Sequence, residues 1–320
     1  MNISGVILAA GQGTRMKSPL PKVLHNVLGS PMINYAQEAI SDLKNKYVVV
    51  GHQYKTVTVN LFESFIPILQ EEQLGTGHAI SILLESSEYK NDENEYLVVI
   101  PGDVPLIKKE DLQKLIDDVV QEKAAIGIIT AFVDNPYGYG RIVKNNDEFE
   151  KIVEETDASE SEKQINEINS GIYCIEKKFL EKNIGRLETT NIQKEFYLTD
   201  LINIAFQNKL GRVIVQVNED SIQGVNSMSQ LNDVENTLRK QLIESHMENG
   251  VYFQDPNSTY IDKSVHIEAG TKILANCHLT GKTIIDKDCV IGPNSIINDS
   301  KIGEGSVIQF SVIDEAVIKS

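Results

Sequence analysis

Short apolar runs alternate with amphipathic stretches through the first two thirds of the 320-residue chain. Runs of this length with no polar face are typical of strands buried on both sides of a parallel sheet. The runs lie at 6–8, 47–50, 66–70, 97–100, 125–132 and 213–217. Because helical patterns separate them, the sequence predicts an α/β domain with a doubly wound, Rossmann-like sheet.

The helices are predicted from apolar spacing and from their start signals. Ser30 and Pro31 predict a helix start, with Ile33, Ala36, Ile40 and Leu43 on one face. Further helices are expected over 54–64, 109–123 and 195–208. The acidic stretch 85–95 is predicted to be a solvated connection. Segments 137–142, 152–154 and 167–172 are predicted to be short inserted strands and turns that cover a ligand.

The last third of the chain has a different pattern. Residues 229–249 predict one long helix that stops at Gly250. Beyond it an aliphatic residue recurs every six positions, with a small or medium residue two places earlier. The aliphatic positions are Ile261, Ile267, Ile273, Leu279, Ile285, Ile291 and Ile297. This period indicates a parallel β-helix, and its phase slips from about residue 303. The predicted domains are therefore 1–227, a linker helix over 228–250, and a partial β-helix over 251–320.

Composition narrows the class of protein. Hydrophobic residues make up 41% and charged residues 24%, and the net charge of −16 argues against general nucleic-acid binding. No signal-peptide pattern and no run of membrane-spanning length is visible. The three cysteines have no metal-site or disulfide spacing, and Cys277 and Cys289 would occupy different sides of the β-helix. We expect a reduced, cytoplasmic enzyme.

Three polar signals follow predicted strands, at the end of a parallel sheet where ligands bind. They are the loop 10–15, the loop 70–79 and Asp103. Gly11 and Gly13 allow a tight turn that presents backbone N–H groups to an anion, while Arg15 and Lys22 add cations. A strand-to-helix glycine turn alone would explain the glycines but not the cations. The spacing fits neither the dinucleotide fingerprint nor the P-loop, and the arrangement suggests a bound triphosphate.

The strings LAAGQGTRM and LPKVLH resemble the signature of the sugar-1-phosphate nucleotidyltransferases. Together with the linker helix and the hexapeptide repeats, nearly the whole chain resembles the bacterial N-acetylglucosamine-1-phosphate uridyltransferases, bifunctional enzymes of UDP-N-acetylglucosamine synthesis. The other specific strings are EEQLGTGHA, GDVPL, GYGRI, EINSGI and GVN. The resemblance implies that the β-helix is left-handed.

The resemblance also implies a role for each matching residue. Leu8, Ala9, Ala10, Gly11 and Gly13 would wrap the nucleotide, and Arg15 and Lys22 would hold its phosphates. Gln70 and Gln73 would read the uracil edge, with Gly75 and Thr76 closing over it. Asp103 and Asn226 would hold Mg²⁺. Gly140, Glu154, Asn169, Tyr197 and Thr199 would surround the N-acetylglucosamine. Pro101 departs from relatives that carry an aromatic residue two places before the aspartate.

The implied reaction transfers UMP from UTP to N-acetylglucosamine-1-phosphate. The attacking phosphate is already anionic because its second pKa is about 6, so no side-chain base is needed. Arg15, Lys22, Asp103 and Mg²⁺ would supply positioning and charge neutralisation. The acetyl-transfer site of the resembled enzymes lies in later coils, so acetyltransferase activity is predicted to be absent from this chain.

A homotrimer through the β-helix is also expected, and neither a nucleic-acid partner nor a membrane span is. Two other functions stay open at this point. One is a related nucleotidyltransferase that forms UDP-glucose or a deoxythymidine-diphosphate sugar. The other is a non-catalytic regulator with the same architecture.

Overall fold

The computed structural model describes residues 2–11, 13–146 and 148–319. These residues form two compact units. One unit runs to His25 and continues over Met32–Ser227, and the other combines Asn26–Pro31 with the chain from Met228 onward. Gln12 and the side chain of Thr14, both within the predicted phosphate loop, lie outside the described part.

The first unit is organised around a mixed nine-stranded sheet. The strands up to residue 216, including the hairpin β2–β3 of the other unit, are β1 Ile3–Ala9, β2 Asn26–Val27, β3 Ser30–Pro31, β4 Asn45–Val50, β5 Phe65–Leu69, β6 Tyr96–Pro101, β7 Ile126–Phe132, β8 Arg141–Asn145, β9 Glu148–Val153, β10 Glu167–Glu176 and β11 Arg212–Gln216. The main path is β11-β7-β10-β6-β1-β4-β5. β1 pairs in parallel with β4 and β6, and β11 pairs in parallel with β7.

Helices cover the sheet on both faces. Among the described residues, the α-helices of this unit are α1 Met32–Ala39, α2 Tyr54–Thr58, α3 Thr76–Glu85, α4 Ser87–Lys90, α5 Lys109–Glu122, α6 Lys177–Asn183 and α7 Asp200–Gln207, and α8 Met228–Glu248 belongs to the other unit. Successive residues of the central strands alternate between two hydrophobic clusters. Ile7 belongs to one cluster and Val6 to the other. This double burial explains the unbroken apolar runs and confirms the α/β prediction.

Two predicted helix starts are wrong. Ser30 and Pro31 form β3, which pairs with β2 in a hairpin. Helix α1 begins at Met32, whose backbone amide donates a hydrogen bond to the His25 carbonyl. The helix expected from Glu195 begins at Asp200, because residues 195–198 form hydrogen bonds to a distant loop instead. The helix expected over 54–64 is shorter and ends at Thr58. At the two displaced starts, hydrogen-bond partners outside the expected helix compete with the local signal.

Segment 167–172 was predicted to be a short inserted strand or turn, and this prediction is also wrong, because the segment belongs to the main sheet. It opens β10, which lies within the sheet and runs antiparallel to both β6 and β7. Its polar residues Asn169 and Ser170 coincide with a register shift against β7, which lies between Asn169 and Tyr173. The Ser170 hydroxyl donates to the Ile129 carbonyl. Because these polar residues interrupt the apolar run, the sequence pattern did not predict that the segment is part of a central strand.

The acidic stretch 85–95 is only partly solvated. Asp92 and Asn94 are buried at the opposite end of β1 from the polar loops. Asp92 accepts hydrogen bonds from the hydroxyls of Ser4 and Tyr47. This network anchors the connection between α4 and β6, so the prediction of a simple solvated loop was incorrect here.

Besides the β2–β3 hairpin, the second unit contains α8 and twelve short strands among its described residues. They are β12 Tyr252–Phe253, β13 Tyr260–Ile261, β14 His266–Ile267, β15 Lys272–Ile273, β16 His278–Thr280, β17 Ile284–Ile285, β18 Val290–Ile291, β19 Ile296–Asn298, β20 Lys301–Ile302, β21 Val307–Ile308, β22 Val312–Asp314 and β23 Val317–Ile318. Every third strand stacks in parallel, which produces three four-stranded sheets. The recurrent aliphatic residues are buried between the sheets. The hexapeptide β-helix prediction is confirmed.

The slip of the repeat has a structural explanation. Ile267 is in register with Ile285, Ile285 with Ile302, and Ile302 with Ile318. The coil therefore shortens from eighteen residues to seventeen and then sixteen, while an isoleucine stays at each rung. Cys174, Cys277 and Cys289 are buried free thiols. Within the described ranges, no helix has the length and apolar character needed to cross a bilayer.

Candidate active site

A cavity of about 700 Å³ opens where several strands of the first unit end. Three chain segments that follow β1, β5 and β6 line it together: Leu8 to Gly11 with Gly13, the loop from Gln70 to Thr76, and Asp103. The carboxyl ends of parallel strands meet at one edge of a sheet, which explains this convergence. The structure thus joins the three polar signals seen in the sequence.

The glycine loop after β1 is packed directly against Lys22. Gly13 has a φ of +60°, a conformation that glycine adopts readily. A Cβ atom at this position would lie 2.8 Å from the Cβ atom of Lys22. The loop then closes into a short turn in which the Met16 amide donates to the Gly13 carbonyl. Arg15 is exposed on this turn and is not part of the cavity lining, so its predicted phosphate contact stays a prediction.

Lys22 contacts both residues predicted to hold a metal ion. Its ammonium group forms an ion pair with Asp103 and donates to Asn226 Oδ1 over 3.0 Å. The Val225 amide also donates to the Asp103 carbonyl over 2.9 Å. These backbone and side-chain contacts join the loop after β6 to the Gly224-Val-Asn226 turn. One carboxylate and one amide oxygen therefore contact the same ammonium group; Lys22 and Asp103 line the cavity, whereas Asn226 is not part of its lining.

This donor set fits Mg²⁺. Magnesium at nucleotide sites is typically held by one or two hard oxygen ligands of the protein, with water and phosphate oxygens completing its shell. Across the described residues, no group of three or more His, Cys, Asp or Glu side chains could enclose a metal ion. Asp103 and Asn226 therefore suit an ion that arrives with a phosphate substrate better than an ion held by the protein alone.

One end of the cavity presents amide groups suited to a planar base. Gln70 is 2% exposed, and its side-chain nitrogen lies 3.0 Å from His78 Nδ1. Its backbone amide donates to the Val50 carbonyl, which fixes the residue to the end of β4. Gln73 donates from its side chain to the Gln70 carbonyl over 3.4 Å. The two glutamines are thus held side by side on the cavity wall.

The loop that carries Gly75 and Thr76 is joined to the segment 196–198 by three hydrogen bonds. The Phe196 amide donates to the Leu74 carbonyl, and the Gly77 amide donates to the Phe196 carbonyl, each over 2.8 Å. The Leu198 amide donates to the Thr76 hydroxyl over 3.1 Å. Gly75 has a φ of +105°, and a Cβ atom there would lie 2.6 Å from the Phe196 carbonyl oxygen. The close approach requires glycine.

The other end of the cavity brings together Gly140, Glu154, Asn169 and Thr199. The Thr199 hydroxyl donates to Glu154 over 3.2 Å, and the Asn169 amide donates to the Gly140 carbonyl over 2.9 Å. Burial raises the pKa of the Glu154 carboxyl, and Asp200, Asp157 and Glu195 raise it further against the opposing Thr199 bond. This end offers hydrogen-bond acceptors and a carboxylate to a polyhydroxylated ligand.

The structure separates some predicted site residues from the cavity and adds others. Tyr197 is buried beside the cavity, where its hydroxyl donates to Gln193 over 2.8 Å, so its predicted sugar contact stays a prediction. Tyr139 and Tyr173 line the cavity. The sequence analysis assigned neither residue to the site, and Tyr173 was missed because it lies within the apolar run of β10. The Asn169 side chain donates to the Tyr173 hydroxyl over 2.8 Å.

Comparison with known proteins agrees with both halves of the fold. The profile of the MobA-like NTP transferase domain matches residues 5–144, and that of the bacterial transferase hexapeptide repeats matches residues 264–299. The bifunctional protein GlmU of Clostridioides difficile is 43% identical over 99% of this chain and 69% of its own length. The GlmU proteins of Alkaliphilus metalliredigens and Clostridium novyi are 41% and 44% identical over 99% and 98% of the chain, and 70% and 69% of their own lengths.

The chain belongs to the GlmU family. It is a nucleotidyltransferase, and the cavity has the features that sugar-1-phosphate nucleotidyl transfer requires. Its lining combines a glycine loop, the adjacent Lys22, Asp103, two glutamines and the Glu154 carboxylate. The family assignment favours an enzyme over the non-catalytic regulator that the sequence left open.

Proposed function

We propose that this GlmU-family chain transfers UMP from UTP to N-acetylglucosamine-1-phosphate and releases pyrophosphate. The observation that carries the proposal is that one cavity, lined by the two glutamines and by Glu154, is also lined by Lys22 and Asp103, with Asn226 hydrogen-bonded to Lys22. A nucleotide at the glutamine end and a sugar phosphate at the Glu154 end would meet at these residues. Such a meeting point is what transfer of a nucleotidyl group between two phosphates requires.

In the proposed reaction a phosphate oxygen of the sugar phosphate attacks the α-phosphorus of UTP. A new phosphorus–oxygen bond forms while the bond from the α-phosphorus to the bridging oxygen of pyrophosphate breaks. The attacking phosphate is already ionised near neutral pH, since its second pKa is about 6, so no protein base has to remove a proton. The chain must instead align the two phosphates and offset their repulsion.

Each residue type has a defined role in this proposal. Lys22 is close enough to the glycine loop to donate to phosphate oxygens held there. Asp103 and Asn226 would hold Mg²⁺, which when bound neutralises phosphate charge at the reacting centre. Gln70 and Gln73 would pair with the uracil edge. Glu154 would accept a hydrogen bond from a sugar hydroxyl, and Asn169 would contact the N-acetyl group or a neighbouring hydroxyl.

The proposal is tested by pyrophosphate release from UTP with three acceptors: N-acetylglucosamine-1-phosphate, glucosamine-1-phosphate and glucose-1-phosphate. Rapid release with the acetylated sugar, lost on adding EDTA and restored by excess Mg²⁺, is the expected result. A preference for glucose-1-phosphate would keep the reaction and change the substrate. No release with any acceptor from folded protein would overturn the proposal.

The remaining sequence-based expectations stay predictions and have direct tests. Incubation with glucosamine-1-phosphate and acetyl-coenzyme A tests the predicted absence of acetyltransferase activity in this chain. Sedimentation equilibrium tests the homotrimer. Limited proteolysis that releases stable fragments near residues 227 and 250 would support the predicted domain boundaries.

A further inference from the structure

Arg141 is a charged side chain that is almost fully buried beside the cavity without lining it. It is 1% exposed, and it forms an ion pair with Glu155 in which Nη2 lies 2.6 Å from Oε2. Removing a guanidinium from water is costly unless its hydrogen bonds are replaced. Arg141 stands in β8 opposite Val153 of β9, immediately after Gly140, while Glu155 immediately follows Glu154. The pair thus links two chain segments that each carry a proposed sugar ligand.

The guanidinium fixes more than one group on the cavity side. Its Nη1 atom donates to the Tyr139 carbonyl, one residue before Gly140. The Glu155 carboxylate that receives Nη2 also accepts the Gly138 amide over 3.1 Å. Residues 138–141 are therefore held against Glu155 by two hydrogen bonds, and a third, from Arg141 to the Tyr139 carbonyl, closes the segment on itself. Burial opposes ionisation of Glu155, but the Gly138 amide and Arg141 outweigh it and place its pKa below the usual value.

The consequence reaches both candidate ligands of the sugar. A Cβ atom on Gly140 would lie 3.3 Å from Glu154 Oε2, so the glycine backbone and this carboxylate are immediate neighbours. The Gly140 carbonyl also accepts the Asn169 amide over 2.9 Å. A shift of residues 138–141 would displace the surfaces that Gly140, Glu154 and Asn169 present to a ligand. The glutamine end of the cavity has no such connection to Arg141 among the described hydrogen bonds.

We infer that the Arg141–Glu155 pair is a positioning device for the sugar end of the cavity and sets the affinity for the sugar phosphate without contacting it. This inference rests on the proposed uridyltransferase reaction. The requirement is for arginine in particular, because a planar guanidinium reaches the Tyr139 carbonyl and the Glu155 carboxylate at once. A lysine offers a single ammonium on a flexible stem and cannot reproduce that geometry.

The test compares steady-state pyrophosphate release by the full chain and by Arg141→Lys and Glu155→Gln. For Arg141→Lys we expect the KM for N-acetylglucosamine-1-phosphate to rise about tenfold or more, since small misplacements of positioning groups have effects of this size. For Glu155→Gln a rise of about three- to tenfold is expected, because the amide oxygen still accepts hydrogen bonds. In both variants the KM for UTP should stay within about twofold.

Lys144→Met supplies a matched control. Lys144 stands on the same strand and forms an ion pair with the buried Glu167, with Nζ 2.6 Å from Oε2. Its loss leaves a buried carboxylate without its cation, so the melting temperature should fall. Both KM values should nevertheless stay within about twofold, because this pair does not hold residues 138–141 or Glu154. The comparison separates loss of stability from loss of positioning.

Each outcome decides the inference. Equal rises in both KM values, or an unchanged sugar-phosphate KM in folded variants, would overturn it. If Arg141→Lys fails to fold, Glu155→Gln decides alone, since its side chain is 21% exposed and retains its shape. A wild-type chain that is inactive with every sugar phosphate would overturn the proposed function and this inference together. If the wild type is active and the variants have an unchanged KM for the sugar phosphate, the inference alone is overturned.

Discussion

The ammonium nitrogen of Lys22 lies 3.0 Å from the side-chain oxygen of Asn226, although 203 residues stand between them in the sequence. The same ammonium forms an ion pair with Asp103. One cation thus organises the two oxygen ligands proposed for Mg²⁺ and stands next to the glycine loop. The position links the proposed phosphate-binding and metal-binding residues through a single side chain.

Replacement of Lys22 by Ala should lower kcat/KM for pyrophosphate release by about 10²- to 10³-fold, the range found when one preorganised group that stabilises transition-state charge is removed. The melting temperature should fall only modestly, because Asp103 lines the cavity and is 16% exposed, so water can hydrate the carboxylate left without its cation. Lys109→Ala removes an exposed lysine paired with Asp42 and serves as the control, with an unchanged rate. A Lys22→Ala variant within threefold of wild type would remove Lys22 from the mechanism.

The raised pKa of Glu154 predicts a pH-dependent affinity for the sugar phosphate. As the pH falls, the buried Glu154 carboxyl is protonated at a higher pH than an ordinary glutamic acid and loses its strength as a hydrogen-bond acceptor. The KM for the sugar phosphate should therefore rise on acidification. Glu154→Gln should have a higher KM at neutral pH and a flatter dependence on pH.

The sugar phosphate itself titrates with a pKa of about 6, so the informative quantity is the ratio of variant to wild-type KM across pH. A ratio that narrows as the pH falls would agree with the prediction. A constant ratio from pH 5 to 8 would mean that the ionisation of Glu154 does not contribute to binding.

Asp200, the first residue of α7, makes a second pH-dependent prediction, this time for stability. Burial, with added repulsion from Asp157 and Glu188, raises the pKa of its carboxyl to about 6. Between pH 4 and pH 6 the folded chain then binds more protons at this site than the unfolded chain, so the free energy of unfolding falls as pH rises through this window. Asp200→Asn should remove that loss.

The free energy of unfolding of Asp200→Asn, relative to wild type, should increase from pH 4.5 to pH 7.5 by about 1–2 kcal/mol. The shift of the Asp200 pKa to about 6 corresponds to about 3 kcal/mol of unfolding free energy before solvent screening, and the partial exposure of the side chain reduces this contribution. Urea titrations at the two pH values measure the difference. An equal difference at both would contradict the raised pKa.

The adjacent residues Ile284 and Ile285 provide a test of the β-helix core. Ile285 is fully buried between the sheets, whereas Ile284 points outward and is 40% exposed. Ile285→Ala should lower the free energy of unfolding by about 2–5 kcal/mol, because it leaves a cavity. Ile284→Ala should cost less than about 1 kcal/mol. Thermal and urea unfolding of the two variants measure the contrast, and equal losses would contradict the assigned orientation.

The sequence was most informative where signals were local or periodic. Val6 and Ile7 are buried on opposite faces of one strand, and burial on both faces gives the strand an unbroken apolar run in the sequence. The sequence also predicted that the site lies at the carboxyl ends of the strands, because the loops that follow parallel strands meet at one end of the sheet. The six-residue spacing of aliphatic residues likewise predicted the β-helix.

Prediction failed where distant partners decide the structure. Residues 195–198 have a helical pattern but bond to Leu74, Thr76 and Gly77, which no local rule reveals. Asn169 and Ser170 interrupt an apolar run, yet their side chains find partners within the sheet. The burial of Arg141 was not predicted either, since the sequence pattern around a single arginine in a glycine-rich string is typical of an exposed side chain. These residues depend on tertiary neighbours more than on the sequence around them.

The shortening coils of the β-helix have a consequence for how this part of the gene can change. Ile285, Ile302 and Ile318 stay in register although successive coils contain seventeen and sixteen residues. The missing residues are absorbed at the corners between strands, where the chain turns. A single-codon deletion at a corner therefore leaves the interior ladder in place, whereas the same deletion within a two-residue strand reverses which side chain points inward. Length variation should accumulate at the corners and be purged from the rungs.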